Sequence, residues 1–470
     1  METLKEILLN TDNQQLIQAD IAYHYGIIPK GVEDAILELY IKEENIETIS
    51  IEELQLILGR QIKFIPSNSV IINKALSKYY RSSGKNSSES EFKLGGDFLE
   101  KLIWDAKSTG SSDIHFEIFK DSARIRFRID GKLIERYTIK KEDYSELVNK
   151  VKINSKLNIT EKRLPQDGRI NYKDFDIRVS ILPTLHGEKI VMRLLGRDTS
   201  NLTIDMLGMN KDEEKIYLEA VNASKGIILI SGPTGSGKTT TLYATLKLLN
   251  KINSNILTIE DPIEYTMEGI NQVQLKEEIG LTFSSALKTF LRQDPDIIML
   301  GEIRDEKTAQ MAIRASLTGH LVLSTIHTNS AIGTISRLID MGVPSFLIAE
   351  TLKISVAQRL VRKLCNTCKI KAAINEIEIN NINFEGLTHH FLPTGCDDCY
   401  HTGYKGRIAI YEFIPITQKV IDLIKSSETN LNSESLNYKK LSQKAFKLVK
   451  DGITTFEEVY SILIEDKNRL

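Results

Sequence analysis

The stretch Gly232-Pro233-Thr234-Gly235-Ser236-Gly237-Lys238-Thr239 stands directly behind the apolar run Ile227–Ile230, and it constrains this chain more than any other. It fits the pattern G-x-x-x-x-G-K-[ST] at every specified position. Glycines at these positions let backbone N–H groups close around phosphate oxygens. Lys238 can then reach the β- and γ-phosphates, and the Thr239 hydroxyl suits Mg²⁺. The apolar run reads as a buried strand. Thr239 to Leu249, with Leu242, Leu246 and Leu249 on one face, reads as a helix whose N-terminus points at the anion. Strand, loop and helix together predict a nucleoside triphosphate site built from residues 232–240, Thr240 included.

At 470 residues the chain is too long for one core, and three or four domains are expected. The formal net charge is −2 with 26% charged residues, so no basic excess points to nucleic acid as a partner. No apolar run approaches the roughly 18 residues that a membrane span requires. The start, Met1-Glu-Thr-Leu-Lys-Glu6, lacks the charged-then-apolar order of a signal peptide. A cytoplasmic protein is expected, with any membrane contact made through a partner.

Residues 1–80 read as a mostly helical domain. Short apolar stripes run through Leu16, Ile17 and Ile21, through Val32, Ala35, Ile36 and Leu39, and through Ile71, Ile72, Leu76 and Tyr79. No catalytic constellation appears there, and docking is the expected role. Residues 81–90 are polar without an apolar residue and read as a linker, extended to 94 before the next domain opens. From 95 to 200 the period is two. Ser112–Ile118 and Arg124–Ile129 alternate, and Asp130-Gly131 supplies a tight turn into Lys132–Ile134. A second hairpin runs from Arg169–Tyr172 into Phe175–Ile181. Phe175, Ile177, Val179 and Ile181 take one face and leave Arg178 on the other, as Ile190, Met192 and Leu194 oppose Arg193. On spacing alone these arginines are a solvated charged face.

From 201 to 355 apolar strands alternate with helices, the pattern of an α/β core. Ile256–Ile259 ends in Glu260-Asp-Pro-Ile-Glu264, three carboxylates at one strand end. Ile297–Leu300 runs into Gly301-Glu302-Ile-Arg-Asp305. An apolar strand ending in an acidic group is the second half of a nucleotide-hydrolysing site, where the carboxylate directs Mg²⁺ or the attacking water. Glu302 is the best candidate. Leu321–Thr325 is a strand bracketed by His320 and His327, either of which could sense a γ-phosphate.

Three stretches now carry a resemblance. Thr258–Tyr265, Leu291–Asp296 with Gly301–Asp305, and Thr318–Thr328 resemble the Asp, Walker B and His boxes of the type II secretion and type IV pilus assembly ATPases, in that family's order. Pro165–Arg169 and Ser112–His115 resemble its preceding domain, and the likeness spans about residues 95–415. It implies an α/β protein: a RecA-like phosphate-loop core, behind a PAS-like mixed sheet domain and an N-terminal mostly helical domain. It implies an ATP- and Mg²⁺-dependent homohexameric motor at the inner face of a membrane, working on a platform protein during pilin or pseudopilin assembly. By motif, Glu264, Glu302 and His327 become residues of hydrolysis, and Arg178 and Arg193 reach a nucleotide. Lys288 stands where many members resemble one another in having an arginine.

All four cysteines fall in two C-x-x-C pairs, Cys365/Cys368 and Cys396/Cys399, separated by residues 369–395. That interval is longer than a usual zinc ribbon. Four thiolates nevertheless suit a closed, tetrahedral structural Zn²⁺ site, and a reducing compartment disfavours disulfides. Assembly motors resembling this chain often carry such a site. The C-terminal segment is taken as 356–470. Two alternatives to a pilus or secretion motor are a zinc-containing nucleic-acid translocase and a DNA-uptake motor.

Overall fold

The computed structural model describes residues 98–196, 202–373, 389–426 and 438–467, most of 19–80, and a few isolated positions. The linker expected at 81–94 lies outside the described residues.

The N-terminal part carries the helices Ala19–Tyr25, Ile51–Leu58 and Ser69–Tyr79, and also a sheet that the sequence reading did not foresee. Its strands are β1 (Ile27–Glu33), β2 (Ile36–Lys42) and β3 (Ile62–Ser67), with β2 in the middle. β1 pairs with it antiparallel and β3 parallel. Val32, Ile36 and Leu39, read as a helical stripe, therefore lie on two strands; Ala35 is outside the described residues. The reason is physical. A central strand buried from Leu37 to Ile41 shows no period of two, and apolar residues shared between two successive strands mimic a spacing of three or four. Glu38 is buried within that strand, and its charge is met by Lys30 at 2.6 Å and Lys63 at 2.8 Å.

The middle region opens with the helix Phe98–Ser108. Six strands follow: β4 (Asp113–Ile118), β5 (Ala123–Ile129), β6 (Lys132–Ile139), β7 (Gln166–Asn171), β8 (Phe175–Thr184) and β9 (Gly187–Gly196). They form one sheet in the order β6-β5-β4-β9-β8-β7. β4/β5 and β5/β6 are antiparallel. The expected two-residue turn is present, with Asp130 at φ 47° and Gly131 at φ 84°, the left-handed pair that matches strand twist. Phe175, Ile177, Val179 and Ile181 are buried on one face of β8, as alternation required.

The α/β core holds β10 (Gly226–Ser231), β11 (Ile256–Glu260), β12 (Asn271–Gln274), β13 (Ile297–Leu300), β14 (Leu321–Ile326) and β15 (Leu352–Leu364). After a small hairpin, β16 (Ile370–Ala373) with β17 (His389–Leu392), comes β18 (Tyr404–Pro415). The sheet order is β12-β11-β13-β14-β10-β15-β18. β10 is parallel to both β14 and β15, and β13 to β11 and β14. Every residue of β10 is buried, which is why its sequence is a continuous apolar run. Ile228, Ile230, Met299, Leu323, Ile354 and Val356 share a core with Leu242, Tyr243 and Leu246 of the helix Lys238–Leu249. Parallel strands deliver their carboxyl ends to one edge, where open α/β sheets place ligands. β13, β14 and β10 are consecutive neighbours, so Gly301-Glu302, His327 and the phosphate loop leave the sheet side by side.

Candidate active site

Gly237, at φ 88°, is the N-cap of the helix Lys238–Leu249, and the loop between β10 and that helix turns through Gly232 (φ 148°) and Gly235 (φ 80°). Two of these glycines are also required by space. A β-carbon on Gly232 would stand 2.5 Å from the Gln358 carbonyl oxygen, and one on Gly237 would stand 2.8 Å from the Gln358 Nε2. Gln358 comes from β15, so the neighbouring strand is the floor of the loop. Sequence reading missed it, because nothing in Gln358's own surroundings announces that β15 returns beside β10. Its Oε1 accepts a hydrogen bond from Thr241 Oγ1 at 2.8 Å, which fixes the amide.

Lys238 Nζ donates to the carbonyls of Gly232 (2.8 Å) and Pro233 (3.1 Å). Burial pushes its pKa down; Glu302 opposes this and the Arg359 charge adds to it. An ammonium held at loop carbonyls is one that an anion can draw out. Ser236 is buried and its Oγ has no hydrogen-bond partner, while Pro233, Thr234, Gly235, Thr239 and Thr240 face solvent. Glycines whose β-carbons would fill the cradle, an orphan hydroxyl and an available lysine fit a phosphate chain, and the exposed Thr239 hydroxyl fits a hydrated divalent ion.

The acidic residues separate into distinct environments. Glu302 follows β13 and accepts from Arg304 Nη2, with His327 Nε2 at 3.3 Å from its other oxygen. Burial pushes its carboxyl up, but Arg304 and His327 outweigh that and hold it below the usual range. Glu264 is paired with Arg178 at 3.2 Å, and Arg178 also donates to the Ile263 carbonyl. Burial lowers the Arg178 pKa against the pull of Glu264. Glu260, by contrast, is sealed: it accepts from Tyr243 Oη, from Thr258 at 2.6 Å and from Gln272 at 3.0 Å. So of three carboxylates at the end of β11, Glu260 is committed to packing. Arg193 is exposed on β9. His320 sits at the other end of β14 from His327, and its Nδ1 lies 2.8 Å from the Ala315 carbonyl at a helix end. That removes it from the site.

The cysteine cluster is a separate centre. The four sulfurs lie within 4.8 Å of one another, with pairs at 3.8 Å (Cys365–Cys396), 3.8 Å (Cys368–Cys399) and 3.7 Å (Cys396–Cys399). A tetrahedron with zinc–sulfur bonds of about 2.3 Å has edges of about 3.8 Å. Burial raises the Cys399 thiol, and the N–H groups of Cys396 and Gly403, both donating to its Sγ at 3.2 Å, work against that rise. Burial raises the Cys365 thiol, yet the N–H groups of Thr367 and Cys368 bring it down to about 7.

The family model described as "Type II/IV secretion system protein" matches residues 90–461 of this chain. The chain belongs to that family. It is 37% identical to the type IV pilus assembly ATPase PilB of Myxococcus xanthus, over 99% of this chain and 89% of that protein. To the type II secretion system protein E of Pseudomonas aeruginosa it is 39% identical, over 90% of this chain and 91% of that one. Among solved structures, the pilus retraction motor PilT with bound ADP superposes with a TM-score of 0.52. It is 27% identical and spans 77% of this chain and 96% of that one. The Legionella pneumophila ATPase DotB, 20% identical, gives a TM-score of 0.60 over 78% of this chain and 95% of that one, and shows the same fold. The chain is thus an ATPase of the secretion and pilus class, and membership implies a nucleotide and Mg²⁺.

Proposed function

We propose that this chain is the motor that hydrolyses ATP to drive assembly of a type IV pilus or a type II secretion pseudopilus. The observation that carries the reading is Glu302, ionised between Arg304 and His327 at the end of β13, with β14, which leads into His327, as the one strand between it and β10, which bears the phosphate loop. Gly232–Thr240 cradle the triphosphate, and Lys238 leaves the Gly232 and Pro233 carbonyls for its phosphates. Mg²⁺, held through Thr239, would supply charge neutralisation. Glu302 orients and deprotonates the attacking water, and His327 holds the Glu302 carboxylate while reporting on the γ-phosphate. Arg178, kept by Glu264 until a nucleotide competes for it, and Arg193 bring guanidinium charge to the transferring phosphate.

The wider assignments follow from membership. A ring of six such chains would work against a platform protein in the inner membrane, lying peripherally on its cytoplasmic face. Among the described residues no helix is long and apolar enough to cross a membrane. Residues 1–80 dock a partner, 95–200 form the sheet domain, 201–355 the ATPase core and 356–470 the zinc-bearing segment. Cys365, Cys368, Cys396 and Cys399 hold a structural Zn²⁺, a reading supported by their tetrahedral sulfur spacing. A nucleic-acid translocase is disfavoured by the net charge of −2, and neither it nor a DNA-uptake motor is named among the relatives described above.

The test is made in the cell of origin. Replacing the chromosomal copy with Lys238→Ala should leave protein level unchanged and abolish surface fibres or secretion. Fibres and secretion both at the parental level would remove the motor assignment.

A further inference from the structure

Arg359, on β15, is 8% exposed and binds in two directions. Its Nη2 donates to the Asn329 carbonyl at 3.1 Å, and its Nη1 to the Gln358 carbonyl at 3.2 Å. Asn329 is two residues beyond His327. The Gln358 carbonyl is the atom on which Gly232 rests, and the Gln358 side chain is anchored by Thr241 and packed under Gly237. One guanidinium therefore ties the segment that carries His327 to the floor of the phosphate loop. Farther along, that segment is held again, where Ser330 caps the helix Ala331–Asp340 and Ala331 N donates to Glu412 Oε1 at 2.8 Å. Between Glu412 and the pairing of His327 with Glu302, Arg359 holds the segment at Asn329, and Ser231, directly before Gly232, adds a long Oγ bond to the Ser330 carbonyl at 3.5 Å. A planar fork suits this geometry, since it serves two carbonyls at once where an ammonium has no fixed pair of directions.

We propose that Arg359 is a positioning residue for ATP hydrolysis, setting His327, and through it Glu302, at a fixed place relative to the phosphate loop. The inference rests on the reading that His327 and Glu302 serve hydrolysis. Arg359 touches neither; it acts through the Asn329 segment. A misplacement of about 1 Å at the reacting groups can cost on the order of 100-fold in rate without a comparable loss in binding.

The experiment is a double-mutant cycle on the full-length protein, reading kcat, KM and the affinity for a fluorescent ATP analogue in the parent, Arg359→Ala, His327→Ala and the double variant. Arg359→Ala should lower kcat on the order of 10- to 100-fold, with KM and analogue affinity within about threefold. The double variant should be no slower than His327→Ala alone, because a tie to an absent side chain has nothing left to place. Losses that multiply in the double variant would overturn the proposal, as would a fall in affinity equal to the fall in rate. Arg359→Lys keeps the charge but gives up the two-way bond, and it carries the same cycle if Arg359→Ala melts below the assay temperature. It should remain slow, and a parental rate for it would overturn the bridging role. His327→Ala alone running at the parental rate would instead refute the hydrolytic reading, a failure distinguishable from additivity in the cycle.

Discussion

Desolvation at Glu302 disfavours its charge, and the Arg304 and His327 side chains reverse that balance. A carboxyl depressed in this way stays ionised at any pH above its folded value. The stabilisation it gains from Arg304 and His327 is present above the unfolded pKa and fades as pH falls through the folded one. Arg304→Ala removes the hydrogen bond and leaves the burial, so Glu302 should titrate higher. The expected outcome is an acid limb of the kcat profile displaced to higher pH; an acid limb in its original place would contradict the pairing. The same residues show what a sequence can display. Gly232, Gly237, Lys238 and Glu302 were legible because phosphate chemistry fixes them within a few residues of one another or of a strand end. Arg304 lies two residues from Glu302, yet no local pattern says that its side chain folds back. Gln358 and Arg359 were not legible at all, since their contacts with the phosphate loop and with Asn329 exist only once β15 pairs with β10.

At the scale of elements, the hairpin through Asp130-Gly131 and the strands β10, β11, β13 and β14 were legible from turn chemistry and apolar runs. The sheet β1–β3 was not, because burial on both faces of β2 erases the alternation that marks a strand. The cysteine pairs were legible as one cluster, although the long interval between them hid the β16–β17 hairpin that it contains. That hairpin is antiparallel from Ile370/Leu392 to Ala373/His389, and Cys365 N donates to the Gly403 carbonyl at 2.9 Å, so the two C-x-x-C turns face each other. A structural zinc contributes on the order of 10 kcal/mol to so small a unit. Purified protein should contain about one zinc per chain. Cys396→Ser should release it and loosen this segment, with ATP-analogue binding retained. Absence of zinc from protein made in zinc-replete medium would rule the site out.

For the whole molecule, the question is which parts the chemistry needs. The buried cluster of the N-terminal part, including Ile28, Leu39, Leu54, Ile72 and Leu76, is drawn entirely from residues 7–80, so that part satisfies its own core. None of the candidate site residues lies in it. Removing residues 1–80 should therefore spare basal ATPase activity and abolish fibre assembly or secretion in the cell. Loss of basal activity would mean that the N-terminal part belongs to the motor itself. The central claim is that Glu302 performs hydrolysis on a nucleotide held by the phosphate loop, and Glu302→Gln tests it most directly. The amide keeps the carboxylate's shape and loses the charge that directs water or metal. ATP-analogue affinity should match the parent while phosphate release falls on the order of 10²- to 10⁴-fold. Phosphate release at the parental rate would contradict the account and move the acidic role away from Glu302.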